Sequence, residues 1–319
     1  MKNGENKLKK RREHWMHDYN KLTPKHNFFY IDWILGTLCN YKCSYCPSVL
    51  NDGRFKFPDI ELAKSILKDL KEKYNDKDII LVISGGEVTV WKDFPEFVNE
   101  SKKHGLSIQL VTNGSKSLEW WDSHAELMDL ISITIHWEYA DKKHINDLCL
   151  LIKDKTQLKL TVMATPDKID QSIQFAYELS KIPDILIELK PIRKDLGPNL
   201  IEDYTPQQLK QLGVKNYFGR FKKGYKNQLI FTDKGQQFNI GLSVINKENC
   251  WKGWLCYAGL ETLKISESGN VFRANCFIES GNSLGNIYDK VEYPTDPVVC
   301  PYDFCKCITD IRNTKLRMP

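Results

Sequence analysis

Between residues 28 and 193, short apolar runs alternate with longer stretches whose apolar residues recur every three or four positions. The runs 28–36 (FFYIDWILG), 78–84 (DIILVIS), 106–112 (LSIQLVT), 130–136 (LISITIH), 158–164 (LKLTVMA) and 185–192 (ILIELKPI) are rich in Ile, Leu and Val. That is the composition of strands covered on both faces. The stretch 58–74, PDIELAKSILKDLKEKY, puts Leu62, Ile66, Leu67 and Leu70 on one side and Pro58 near its first turn, which predicts a helix. Helical patterns also occupy 94–104, 118–128, 141–153 and 170–181. Six β-α units in series predict an α/β fold, a parallel sheet curling into an open, partial (β/α)6 barrel.

In such sheets the chemistry gathers at the C-terminal strand ends. The polar and Gly-rich loops of this chain fall there. TLCNYKCSYCPS (37–48) follows the first run, SGGEVT (84–89) the second, TNGS (112–115) the third, HWEY (136–139) the fourth and PIRKD (191–195) the sixth. After Arg193 the alternation stops, with one short helical stretch, TPQQLKQLG (205–213). The expected organisation is a basic N-terminal extension (1–27), an α/β core (28–195), a connector (196–245) and a small Cys-rich domain (246–319).

Composition changes this picture little. At 41% hydrophobic and 27% charged residues the chain reads as an ordinary globular protein. No apolar run reaches the roughly 18 residues of a membrane span, and the polar, basic start is no secretory signal, so a cytoplasmic protein is expected. The net charge of +5 is concentrated at the front, where residues 1–25 hold eight Lys and Arg against three Asp and Glu. The remainder is close to neutral, so a nucleic-acid partner is not expected. The basic segment reads as a solvated tail, with an acidic partner as the alternative.

The cysteines change it greatly. Ten is a high number without a secretory signal, and clustered thiols in a reducing compartment read as metal ligands or catalytic groups. Cys149, in INDLCLLIK, reads as a core thiol on a helix. The other nine form two groups. Cys39, Cys43 and Cys46 are three thiols for a site that usually wants four. Three thiolates can hold three irons of a [4Fe–4S] cube and leave the fourth open to an exogenous amine and carboxylate. A structural zinc site is the alternative, but it needs four protein ligands and the loop offers no fourth.

CNYKCSYC is C-x3-C-x2-C with Tyr45 just before the last cysteine. In the loop after the first strand, with SGGE after the second, it resembles the signature of the radical S-adenosylmethionine (SAM) superfamily. The resemblance covers roughly residues 28–193. It implies a [4Fe–4S] cluster on Cys39, Cys43 and Cys46 that reductively cleaves SAM to a 5′-deoxyadenosyl radical, which then takes a substrate hydrogen atom. It also implies SAM contacts from Tyr45, Ser84, Gly85, Gly86, Glu87 and Asn113, although Ser84 and Asn113 serve equally well as turn caps. His136, Glu138 and Arg193, at strand ends on the same side, are the candidates for binding substrate or moving a proton. Arg193 is favoured for an anionic group because of its planar fork.

In the second group, two β-like runs flank ESGN as a hairpin. The order CxxG, SGNVFRANC, LGNI and CPYDFCKC resembles the Twitch and SPASM auxiliary-cluster modules of some radical SAM enzymes. That implies one auxiliary [4Fe–4S] cluster on Cys256, Cys276 and two of Cys300, Cys305 and Cys307, the first two preferred. Cys250 is expected to stand aside, and a zinc ribbon remains the alternative. The function expected first is oxidation of a small sugar- or amino-acid-derived metabolite by an oxidoreductase-type radical SAM enzyme. An external electron donor such as flavodoxin or ferredoxin is expected. The alternatives are a ribosomal-peptide maturase and a non-enzymatic iron–sulfur carrier or redox sensor.

Overall fold

The computed structural model describes residues 18–192, 204–214, 217–220, 229–238, 240, 243, 248–278, 280–305 and 307–318. They divide into two compact units. The larger contains residues 32–220 and 266–268. The smaller combines the residues up to Ile31 with those from 229 to 265 and from 269 onward.

The chain opens with β1 (Lys21–Pro24) and β2 (Phe28–Ile34). The larger unit continues with β3 (Asp78–Ser84), β4 (Ser107–Thr112), β5 (Leu130–Ile135), β6 (Gln157–Ala164), β7 (Ile185–Pro191) and β8 (Tyr217–Gly219). Strands β2 to β8 lie in sequence order. Strands β3 to β7 pair in parallel, and β8 returns antiparallel to β7. One register row runs Ile83, Leu110, Ile131, Leu158 and Ile185, every member fully buried. Each such side chain contributes about 1.5–3 kcal/mol on leaving water. The row accounts for the unbroken Ile and Leu runs in the sequence. The sheet stays open, as expected of a partial barrel.

The helices follow their patterns. After the single turn α1 (Ser48–Asn51) come α2 (Ile60–Lys73), α3 (Phe94–Lys103), α4 (Leu118–His124), α5 (Lys142–Ile152), α6 (Ile169–Leu179) and α7 (Pro206–Val214). Helix α2 starts at Ile60 rather than Pro58 because the Asp59 side chain accepts the amides of Glu61 and Leu62 as an N-cap. It buries Ala63, Ile66, Leu67 and Leu70. Cys149 is fully buried on α5.

In the smaller unit a six-stranded sheet has β9 (Ile230–Thr232), β10 (Gln237–Phe238), β11 (Leu255–Cys256), β15 (Val298–Val299) and β16 (Lys315–Leu316) around β1, in the order β10-β9-β1-β16-β11-β15. Beside these elements the unit has β12 (Thr262–Ile265), β13 (Asn270–Phe272) and β14 (Gly285–Asn286), with Ile265 opposite Val271 as the expected hairpin requires. The short helix α8 (Ile308–Ile311) precedes β16. Lys21–Pro24, assigned to a solvated extension, is an inner strand with Leu22 opposite Thr232 and Lys315 and fully buried. Ile230–Thr232, assigned to the connector, is its neighbour. Among the described residues no helix is long and apolar enough to cross a membrane.

Candidate active site

The front cysteine loop is closed on itself before anything else touches it. Thr37 donates its amide to Phe55 O (2.8 Å) and its hydroxyl to Asp52 Oδ1 (2.9 Å), while Gly53 N returns to Thr37 O. Asp52 is in turn gripped by Arg54, which holds its carboxyl down to about 2. Inside the loop Cys46 N donates to Cys43 O (3.1 Å). All three thiols are free.

Three neighbouring strand-end loops then fasten it. The first is SGGE. Leu35 N donates to the Ser84 carbonyl, Gly86 N to Gly36 O and Glu87 N to Leu38 O, at 2.8–3.0 Å. A Cβ at Gly86 would overlap the Leu38 carbonyl oxygen, and one at Gly85 (φ +154°) would lie 2.7 Å from Gly36 O. Glycine is required at both positions by this backbone contact. The Glu87 carboxylate faces inward, 1% exposed. It accepts from Thr89 N and Oγ1, from Thr112 Oγ1 (2.8 Å) and from Asn113 N (2.6 Å). Burial pushes its carboxyl up while those four bonds pull it back. Its side chain ties SGGE to TNGS.

TNGS supplies the second fastening. Asn113 Nδ2 donates to Asn40 Oδ1 (2.9 Å), and Asn40 Nδ2 donates to Ser115 Oγ (2.8 Å). HWEY supplies the third. The Tyr45 hydroxyl pairs with His136 Nδ1 at 2.8 Å, with the rings stacked 5.9 Å apart. Both Glu138 oxygens accept from Ser44, one from its amide (2.9 Å) and one from its hydroxyl (2.5 Å). Tyr139 stacks on Tyr41 at 4.8 Å.

His136, through Nδ1, and Glu138, through both carboxylate oxygens, are thus bonded to the cysteine loop. Burial lowers His136 to about 4, against the opposing field of Glu138, so the imidazole is neutral at pH 7. Burial pushes the Tyr45 phenol far up. Arg193 lies outside the described residues. The partners Asn40, Tyr41, Ser44 and Tyr139 are absent from the sequence reading. Their only signal was a location within or opposite the cysteine loop.

The donor set fits a cluster. Burial raises all three thiols, Cys43 to about 12, so they stay protonated until metal displaces the protons. Among the described residues no three His, Cys, Asp or Glu side chains close on a single ion. Cys39 and Asn40 border an open hollow of about 390 Å³ with Leu38, Phe57, Val90 and Trp91.

Four of the rear cysteines make a second candidate site. Cys256, Cys276, Cys300 and Cys305 line one small cavity, and Cys307 is not in its wall. Cys307 Sγ instead accepts from Asn275 Nδ2 (3.4 Å). The backbone fixes each wall cysteine. Cys256 pairs in β11, Cys300 N donates to Trp254 O, Cys305 N to Asn249 O and Cys276 N to Asp310 Oδ2 (3.2 Å). Burial pushes all four thiols up, and the Lys315 ammonium pulls each one back. Tyr302 Oη, buried in the wall, has no hydrogen-bond partner among the described residues. A lone phenol donor among thiols suits the sulfide acceptors of a cluster.

The sequence profile of the Radical SAM superfamily matches residues 33–182. This span is a radical SAM domain. The cofactors of that family are a [4Fe–4S] cluster and SAM, which when bound supply one-electron chemistry for activating a C–H bond. In this radical SAM domain, Cys39, Cys43 and Cys46 would hold the cluster.

Two curated relatives and one solved structure extend the comparison. The mycofactocin maturase MftC of Mycolicibacterium smegmatis is 24% identical over 276 residues, covering 81% of this chain and 67% of MftC. The S-adenosylmethionine-dependent nucleotide dehydratase of Psychrobacter lutiphocae is 28% identical over 112 residues, 32% of this chain and 37% of the dehydratase. The crystal structure of Streptococcus suis SuiB bound to precursor peptide SuiA superimposes with a TM-score of 0.54 at 13% identity. It covers 84% of this chain and 65% of SuiB, and shows a shared fold. The chain thus spans about a third of the dehydratase and two thirds of SuiB.

Proposed function

We propose that this protein is a radical SAM enzyme that oxidises a residue within a peptide substrate, with a rear [4Fe–4S] cluster on Cys256, Cys276, Cys300 and Cys305 accepting the surplus electron. The observation that carries this reading is the two thiol sets on one chain, three on a clamped loop and four around a cavity. Three thiols leave room for the amine and carboxylate of SAM, and four close a site suited to taking up an electron. A plain iron–sulfur carrier has no use for the first arrangement.

The chain's own contribution is positional. Glu87, Asn113, His136 and Glu138 hold the cysteine loop so that its thiols keep one geometry. Tyr45, Ser84, Gly85, Gly86 and Asn113 are the proposed surroundings of SAM, and Arg193 the proposed anchor for an anionic substrate group. An external donor of the flavodoxin or ferredoxin class belongs to the same reading.

The peptide class takes its support from the maturase MftC and from the fold shared with SuiB, which binds the precursor peptide SuiA. The small-metabolite reading keeps one specific support, the likeness to the nucleotide dehydratase. The test is anaerobic incubation of the reconstituted chain with SAM and dithionite, adding cell extract split by size into peptides and small molecules. Release of 5′-deoxyadenosine stimulated by the peptide fraction is expected. Stimulation by the small-molecule fraction alone overturns the peptide class, and no 5′-deoxyadenosine under any condition overturns the enzyme reading.

A further inference from the structure

Lys315 is 1% exposed, in the wall of the rear cavity. On β16 it stands directly opposite Cys256 of β11, so the two side chains share a face of the sheet. Its Nζ donates to the carbonyls of Asp310 (2.9 Å), Ile311 (3.0 Å) and Asn313 (3.1 Å). An ammonium has three N–H groups, so this one is saturated and its position fixed. The same Nζ lies 4.6 Å from the ring centroid of Trp251. All these partners are neutral. A cation buried without a carboxylate partner among the described residues is unfavourable, which calls for a compensating negative charge nearby.

The cavity itself offers that charge. The charged residues in its wall are Lys315 and Asp310. The Asp310 carboxylate is turned to the amide of Cys276 and to Asn275, where it helps set the position of a thiol. Four ionised thiols around an iron–sulfur cube carry excess negative charge, and adding an electron increases it. A fixed cation beside them favours the reduced form over the oxidised one.

We propose that Lys315 is a positioning residue for charge, the internal countercharge that raises the reduction potential of the rear cluster so that it accepts the electron left after substrate hydrogen removal. One electron enters the cluster, no bond of the protein forms or breaks, and no proton is required. This rests on the reading of the rear cavity as a cluster site.

The experiment uses the full chain with Cys39, Cys43 and Cys46 all changed to Ala, so that bound iron and its electron paramagnetic resonance signal belong to the rear site. After anaerobic reconstitution, iron and sulfide per chain are measured, followed by a redox titration with dithionite and mediators. Lys315→Met is expected to keep its iron and show a more negative midpoint, whereas Asp310→Asn shows a more positive one and Lys315→Arg stays near the parent. An unchanged midpoint in Lys315→Met, or shifts of the same sign in the Met and Asn variants, overturns the proposal. If Lys315→Met and Lys315→Gln both lose iron, retention by Lys315→Arg supports the charge, and loss by all three overturns it in favour of packing. A parent chain that binds no iron overturns the cluster reading instead.

Discussion

The hydroxyl of Tyr45 and Nδ1 of His136 meet at 2.8 Å across 91 residues of sequence, joining the cysteine loop to the end of β5. Both groups are neutral at physiological pH, because burial raises the phenol and lowers the imidazole to about 4. The pair is thus a hydrogen bond between stacked neutral rings, with no ion pair to be screened by salt.

A pH dependence follows from His136. The unfolded chain binds a proton near pH 6.5, whereas the folded chain refuses it until about pH 4. The stabilisation is fully present above 6.5 and is lost as pH falls through that window, by up to about 3 kcal/mol. His136→Phe keeps the stack and removes the titration. Denaturant unfolding of the metal-free chain across the window should show a steeper loss in wild type than in His136→Phe. At neutral pH the variant should be weaker by about 1 kcal/mol, because a half-buried phenol loses its partner.

Glu138 separates loop fastening from catalysis. Glu138→Ala removes both acceptors of Ser44, so the loop carrying Cys43 and Cys46 loosens. The expected outcome is less iron per chain after reconstitution, with 5′-deoxyadenosine per bound front cluster close to wild type. Iron assay and product quantification on the same samples check this. Full iron with product abolished would instead return Glu138 to the chemistry.

Strands β3 to β7 were legible because each is a run of six or more residues rich in Ile, Leu and Val, and the register row from Ile83 to Ile185 needs that composition. The smaller sheet was not legible. Its strands are two to four residues long, and KLTP has a single buried aliphatic, Leu22, whose partners lie about 210 and 290 residues away. The cysteines could be read because thiol spacing is a chemical signal that survives without knowledge of packing. The hydrogen bonds of His136 and Glu138 to the cysteine loop could not, since a polar residue at a strand end looks the same in sequence whatever its side chain meets. Lys315, in NTKLRMP, has the appearance of a surface lysine near a terminus. Only the pairing of β11 with β16 reveals it as buried.

Gly86 and Gly105 make a controlled comparison. At Gly86 a Cβ would collide with the backbone of Leu38, which cannot move without moving the cysteine loop. At Gly105 φ is +75° and no atom lies within 4 Å of the added carbon. Gly105→Ala should cost about 1–2 kcal/mol, from the left-handed backbone alone, and reconstitute with full iron. Gly86→Ala should lose the front cluster even where the chain remains folded by circular dichroism. Iron content measured beside the thermal melt tells the two effects apart.

The rear cysteines allow the most direct test of ligand choice. Cys256, Cys276, Cys300 and Cys305 share a cavity wall, and three of them are positioned by the hydrogen bonds of their own amides to Asp310, Trp254 and Asn249. Cys307 precedes the first turn of α8, where its carbonyl accepts from Ile311 N and its sulfur from the Asn275 amide. A residue whose carbonyl opens a helix and whose sulfur accepts from a side-chain amide has a structural task of its own. In the chain with Cys39, Cys43 and Cys46 changed to Ala, Cys307→Ser is therefore expected to bind as much iron as its parent. Serine at any of the four wall positions should reduce iron and bleach the visible absorbance of the cluster. Loss of iron in Cys307→Ser with retention in Cys300→Ser or Cys305→Ser would move the fourth ligand to Cys307, and would require α8 to shift when metal binds.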